Sequence, residues 1–119
     1  MPITSNASKF FTNSVSFANT NQTLVYTVPA NYSAIVKTLI ASNTDSTNRN
    51  ITLAWYHADS TSTKTILANH QILANSFDAI LSDTVSLHLH AGDKIFVTAA
   101  TADTIVATIS VEEYYDPNR

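Results

Sequence analysis

The chain has 119 residues, 45% of them hydrophobic and 13% charged, with a formal net charge of −3 and no cysteine. That length fits one domain with a single core, and the charge offers no basic patch for nucleic acid. The missing cysteines exclude a disulfide framework, a thiolate metal site and a cysteine nucleophile, and suit folding in a reducing cytoplasm. The start, MPITSNASKF, lacks a basic segment followed by an apolar stretch, and no apolar run approaches the roughly 20 residues of a membrane helix, so a soluble protein without a secretory signal is expected.

Thr, Ser and Asn make up about a third of the chain, which favours pleated, half-buried surfaces and turns over helix. Period-two alternation recurs in short segments between polar clusters, the pattern of a sandwich or barrel. The first strand is expected around Phe10–Phe17. Leu24, Tyr26 and Val28 then line one face until Pro29 ends the strand. From Ala34 to Ile40, Ile35, Lys37 and Leu39 oppose Val36, Thr38 and Ile40. Residues 42–50 (SNTDSTNRN) carry no apolar side chain and are expected as a loop. Ile51, Leu53, Trp55 and His57 alternate with Thr52, Ala54 and Tyr56, and a second polar loop is expected over 58–65.

The segment ILANHQILAN (66–75) fits helical spacing as well as strand spacing. We read it as two strands, 65–71 and 76–81, with Ala74-Asn75-Ser76 turning between them. Val85, Leu87 and Leu89 alternate with Ser86, His88 and His90. Ile95, Val97 and Ala99 follow, and Ile105, Ala107, Ile109 and Val111 form the last long strand. Between Leu89 and Ile95 lies Gly92, the single glycine where average usage predicts roughly eight. A tight hairpin at Ala91-Gly92-Asp93 would need φ > 0 there, with Asp93 bonding backbone amides of the turn. The result is an all-β fold: a single antiparallel β-sandwich, jelly-roll-like, of eight or nine strands. Its core spans about residues 10–114, with polar arms at Met1–Ser8 and Glu112–Arg119. The two polar loops are expected at one end of the sandwich, exposed or in contact with another subunit.

The order of these pieces carries a resemblance. LVYTVPAN (24–31) leads into SAIVKTLIASNT (33–44), and ILANSFDAIL (72–81), SLHLHAGDKIFV (86–97) and TADTIVATISVEEY (101–114) follow. The chain resembles a small β-sandwich module of tailed-bacteriophage structural proteins, which share a Y-x-V-P-A strand end and an L-x-A-G-D-x-I-x-V hairpin. The likeness covers residues 22–114, with one departure at Ile72, where that pattern has a turn containing proline. The resemblance implies a non-enzymatic virion protein, assembled in the host bacterial cytoplasm and placed on the outer surface of the particle. External capsid decoration is the first placement, with neck, collar, tail fibre or baseplate as alternatives. The implied partners are other virion proteins and further copies of the chain, with neither nucleic acid nor membrane.

Few residues suggest chemistry. His88 and His90 project from one strand face, and histidine is a common metal ligand, but one chain supplies too few ligands for a closed site. Neither metal nor cofactor is therefore expected unless an oligomer brings several such pairs together. His57, Asp59 and Ser60 lie close in sequence, with His70 and Asp78 elsewhere, yet no strand–turn–helix nucleophile elbow holds them, and no enzyme is expected. Trp55-Tyr56 and Tyr114-Tyr115 place one aromatic of each pair outward. Tyr56, Tyr114, Tyr115 and Arg119 are thus interface candidates. They leave open a carbohydrate-binding module for a host glycan, which would need two or more exposed aromatics on a concave face. The sequons at Asn6, Asn21, Asn31 and Asn50 are as many as a chain this rich in Ser and Thr has by chance. Both polar arms are expected to order on neighbouring chains, so that losing residues 112–119 would weaken assembly more than folding.

Overall fold

The computed structural model describes residues 8–82 and 84–117. They form nine strands: β1 (Lys9–Ser16), β2 (Thr23–Thr27), β3 (Tyr32–Asn43), β4 (Arg49–His57), β5 (Ser62–Ile72), β6 (Ser76–Leu81), β7 (Leu87–Leu89), β8 (Lys94–Ala99) and β9 (Ile105–Tyr115). One sheet runs β1-β9-β3-β6, with β7 also on β3, and the other runs β2-β8-β4-β5. All pairings are antiparallel. Strands β6 and β7 occupy successive stretches of the same β3 edge, opposite 39–43 and 34–36, and so amount to one interrupted strand. Counted that way, eight strands divide between two four-lane sheets in the jelly-roll order, the chain changing sheet at every link except β4–β5.

The inner faces bury Phe17, Leu39, Ile51, Leu53, Ile95 and Ile109 essentially completely. Strands of 11 and 12 residues draw the molecule out to 55 × 28 × 26 Å. Two bulges change which side chains reach this core. The β2–β8 register shifts between Leu24 and Tyr26, which turns Leu24 outward at 48% exposure while Val25 and Tyr26 are buried. The β3–β9 register shifts between Val36 and Thr38, so Val36 and Leu39 both face inward. Simple alternation had set Leu24 with Tyr26 and had set Leu39 opposite Val36. An inserted residue reverses the face of all that follows it.

Five expectations are corrected. Gly92 does sit at φ 86°, but its turn is not a hairpin: β7 lies in the first sheet and β8 in the second, so the turn is a corner between sheets. The polar loops shrink to 44–48 and 58–61, because β3 extends through Asn43 and β5 begins at Ser62. They also lie at opposite ends, since the nine residues of β4 separate them, about 30 Å of strand. The segment from Glu112 is no arm: β9 continues through Tyr115 with Glu113 buried. Residues 1–7 of the other arm, and Arg119, lie outside the described residues. The strand expected over Val85–Leu89 begins at Leu87, with Val85 exposed and bridged to Ser82.

Backbone hydrogen bonds tie the loops at each end. Thr44 N–H reaches Thr104 O, Asn75 N–H reaches Asp45 O, and Asp103 N–H reaches Phe17 O. At the opposite end Val28 N–H donates to Asp93 O and Gly92 N–H to Val28 O.

Candidate functional site

The densest polar arrangement lies at that second end, around the corner joining β7 to β8. Asp93 N–H donates to His90 O at 3.0 Å, closing a four-residue turn with Gly92 in its third position, where a type II turn requires φ > 0. The Asp93 side chain is fully buried. Its Oδ1 accepts from Ala58 N–H at 2.9 Å, and its Oδ2 from His90 N–H at 3.1 Å and Trp55 Nε1 at 3.3 Å. One carboxyl group therefore holds its own turn, the end of β4 and the loop after it. Sequence reasoning placed Asp93 on turn amides. It missed Trp55 and Ala58, which no local signal connects to it.

His57 belongs to the same cluster. Its ring stacks at 4.8 Å on Trp55, and its buried Nδ1 lies 3.6 Å from Asp93 Oδ1, beyond hydrogen-bond reach. Ser60 instead bonds Ser62 Oγ and the His57 carbonyl. The trio His57, Asp59 and Ser60 thus does not assemble as nucleophile and base, because the imidazole faces Asp93.

A second buried pair staples the sandwich at the same end. Tyr26 of β2 donates its O–H to Glu113 of β9. Burial, that hydrogen bond and the nearby carboxylate charge all push the Tyr26 phenol well above its ordinary value. Around it, Lys9 Nζ lies 5.2 Å over the Tyr32 ring, Tyr32 meets Tyr115 edge-on at 5.6 Å, and Ser33 donates to Asp116. Pro29 O accepts from Tyr32 N–H, with Asn31 at φ 68°, so Pro29 opens a tight turn after β2, as its sequence position implied.

Two further staples lie elsewhere. His70 of β5 is hydrogen-bonded to Asp78 of β6, latching one sheet to the other along an edge of the sandwich. Asn43, buried at the end of β3, donates to the carbonyls of Thr47, Ile72 and Leu73 and accepts from Asp45 N–H. Beside it a shallow recess of about 350 Å³ is lined by Ser42, Thr44, Asn75, Ser76 and Phe77. Arg49 grips Asp45 in the same loop and holds its carboxyl below the usual range.

The other candidates are dispersed. His88 is exposed on β7 opposite Ile35, and His90 lies just beyond the strand. Among the described residues no three His, Asp or Glu side chains gather closely enough to hold a metal. Tyr56, on the outer face of the second sheet, carries Lys94 Nζ 5.3 Å above its ring. Tyr114 is half-buried and Tyr115 exposed at the end of β9. The most exposed aromatics, Phe10 and Phe77, stand at register positions of Glu112 and Val106 respectively, six residues apart, or about 20 Å. They do not share a concave platform.

No family model and no curated protein matches the chain. Among solved structures, it is similar to a chain from Bacillus endospore appendages, described as disulfide-linked pili, at 14% identity and TM-score 0.47, covering 98% of this chain and 96% of that one. It is also similar to a chain of the virus-like particle of extra small virus from the giant freshwater prawn Macrobrachium rosenbergii, at 12% identity and TM-score 0.39, covering 96% and 83%.

Proposed function

We propose that this chain is a non-enzymatic structural subunit of an assembled particle, and that the particle is a tailed-phage virion. The observation that carries the reading is the outer face of the first sheet. Thr12 bonds Ser110 at 2.9 Å and Ser14 bonds Thr108 at 3.1 Å, so hydroxyl ladders line the surface between β1 and β9, with Glu112 at one end opposite Phe10. Across the Thr12–Ser110 and Ser14–Thr108 rows such a face offers neighbours area and hydrogen bonds with no charged side chain to desolvate. The acids and imidazoles clustered elsewhere support the same reading, since they cross-link corners and edges of the fold. Within the virion, external decoration of the capsid is the first placement, with neck, collar, fibre or baseplate behind it.

The deciding experiment is protein identification and cryo-EM reconstruction of purified particles from the phage that encodes the chain. Stoichiometric copies seated on the outside, with the β1–β9 face against a neighbour, are the expected result. Particles that lack the chain would overturn the proposal. Specific retention of the free protein on a glycan array would then favour the sugar-binding alternative.

A further inference from the structure

The sheets have four edge lanes, and three carry a feature that hinders pairing with another chain. β2 is five residues long and bulged. β5 shifts register twice and holds Asn69 at φ 50°. The β6/β7 lane breaks between Leu81 and Leu87. Short, bulged or broken edges are the usual guards against edge-to-edge association. β1 has none of them. Its eight residues run in unbroken register from Lys9↔Glu113 to Ser16↔Val106, without proline and with one charge, at its first residue.

We propose that β1 is a self-pairing edge, joining two copies of this chain by an antiparallel β1–β1 ladder about a two-fold axis. The inference rests on the assembly reading above and names the surface through which copies meet. A second copy is the occupant because an antiparallel edge is its own complement: rotated by half a turn, its free N–H and C=O groups face their opposites.

Side-chain parity narrows the register. Phe11, Asn13 and Val15 align with the buried Val111, Ile109 and Ala107, whereas Phe10, Thr12, Ser14 and Ser16 align with the outward residues of β9. A slip of one residue would mix the two faces, so only alternate registers are allowed. Centring the axis on Asn13 sets each Phe11 opposite the partner copy's Val15 and each Thr12 opposite its Ser14. Phe11 is 38% exposed in the single chain, and this pairing covers it with an apolar neighbour. The two Lys9 residues then lie eight positions apart, about 26 Å, and no like charges oppose one another.

One strand pair covers less than the roughly 800 Å² per partner of a stable complex, so the isolated protein should dimerise weakly. Sedimentation velocity between about 10 μM and 1 mM should show a species of twice the 12.9 kDa chain mass growing with concentration. Asn13→Lys sets two ammonium groups at the axis on an exposed position, and should raise the dissociation constant at least tenfold with the unfolding temperature unchanged. In this cysteine-free chain, Asn13→Cys should form a disulfide-linked dimer under mild oxidation, with Thr12→Cys far slower, because only the axial pair has the Cα separation a disulfide needs. Oligomers that persist through Asn13→Lys would overturn the β1 edge while leaving the assembly reading intact. A monomer at 1 mM would overturn the edge as well, and particle composition would then decide the assembly reading separately. Faster cross-linking at Thr12 than at Asn13 would overturn the Asn13-centred register.

Discussion

Replacing Asp93 by alanine should do more damage than any other single polar substitution in the second-end corner. The carboxyl group is fully buried and accepts from two backbone amides and one indole N–H. Each buried donor left without an acceptor costs about 1–3 kcal/mol, and the Trp55 bond, at 3.3 Å, belongs at the low end. Relaxation and non-additivity trim the sum, and a net loss of about 4 kcal/mol is expected. Against a total stability of roughly 5–15 kcal/mol, that brings the domain near its unfolding threshold, with a fall in Tm of about 15 °C. Asp93→Asn keeps one acceptor oxygen and should lose about half as much. Urea unfolding followed in parallel by far-UV circular dichroism and fluorescence supplies the assay. Trp55 is the single tryptophan and touches the mutated group, so its emission reports the corner while dichroism reports the sheets. A loss below about 1 kcal/mol for Asp93→Ala, with an unchanged m-value, would refute the idea that this carboxyl holds the corner.

Tyr26→Phe should cost about 1–2 kcal/mol near neutral pH by stranding the Glu113 carboxyl. The raised Tyr26 phenol adds stability that is complete below the unfolded value near 10 and fades as pH climbs past it, so the variant's alkaline unfolding curve should be shallower. Truncation after Val111 should lower the unfolding temperature of the isolated domain by 10 °C or more (about 3 kcal/mol), because it removes the β9 residues paired with Tyr32–Ile35; an unchanged melt would return 112–119 to the status of an arm. For the latch, a double-mutant cycle on His70→Ala and Asp78→Ala should give a coupling of about 0.5–1 kcal/mol, the range for a partly exposed pair, and zero coupling would remove its role. Gly92→Val should cost about 1–3 kcal/mol, and Gly92→Asn should also destabilise measurably in thermal melts; a neutral Gly92→Asn would show that backbone conformation alone selects glycine there.

The alternation of Ile, Val and Leu with Thr and Ser made the strands legible, because a two-sheet fold buries one face of each and wets the other. What alternation could not reveal was where a lane inserts a residue. Nothing in SAIVKTLI marks the bulge at Lys37, which depends on the partner strand β9, about 70 positions away. Polar runs misled for a related reason. Ser42, Asn43, Arg49 and Asn50 looked like loop, yet they are strand ends, and the one that is buried, Asn43, satisfies its amide on three carbonyls. The corner at Gly92 was read as a hairpin because both use the same local turn chemistry. They differ only in whether the flanking strands hydrogen-bond to each other, which depends on residues far away in the chain. The staples share that property: Tyr26 and Glu113 are 87 residues apart, and Trp55 and Asp93 are 38.

The single glycine is the point where local and distant requirements coincide. Among the described residues, five others take positive φ without being glycine: Asn31, Thr61, Asn69, Asn75 and Asp103. Four of them sit in the links between strands, so this chain routinely meets the left-handed requirement with short polar side chains, as Asn and Asp in particular allow. A turn at φ > 0 therefore does not by itself explain Gly92. The difference is what surrounds it. A Cβ at Gly92 would stand 3.1 Å from the Ala58 Cβ, on the loop that Asp93 pulls against the corner through the Ala58 amide. The carboxyl group that fixes the corner thus also crowds the space for a side chain at the preceding residue. Gly92 and Asp93 act as one unit, in which the close approach that satisfies the buried acid leaves a Cβ at Gly92 tighter than ordinary van der Waals contact.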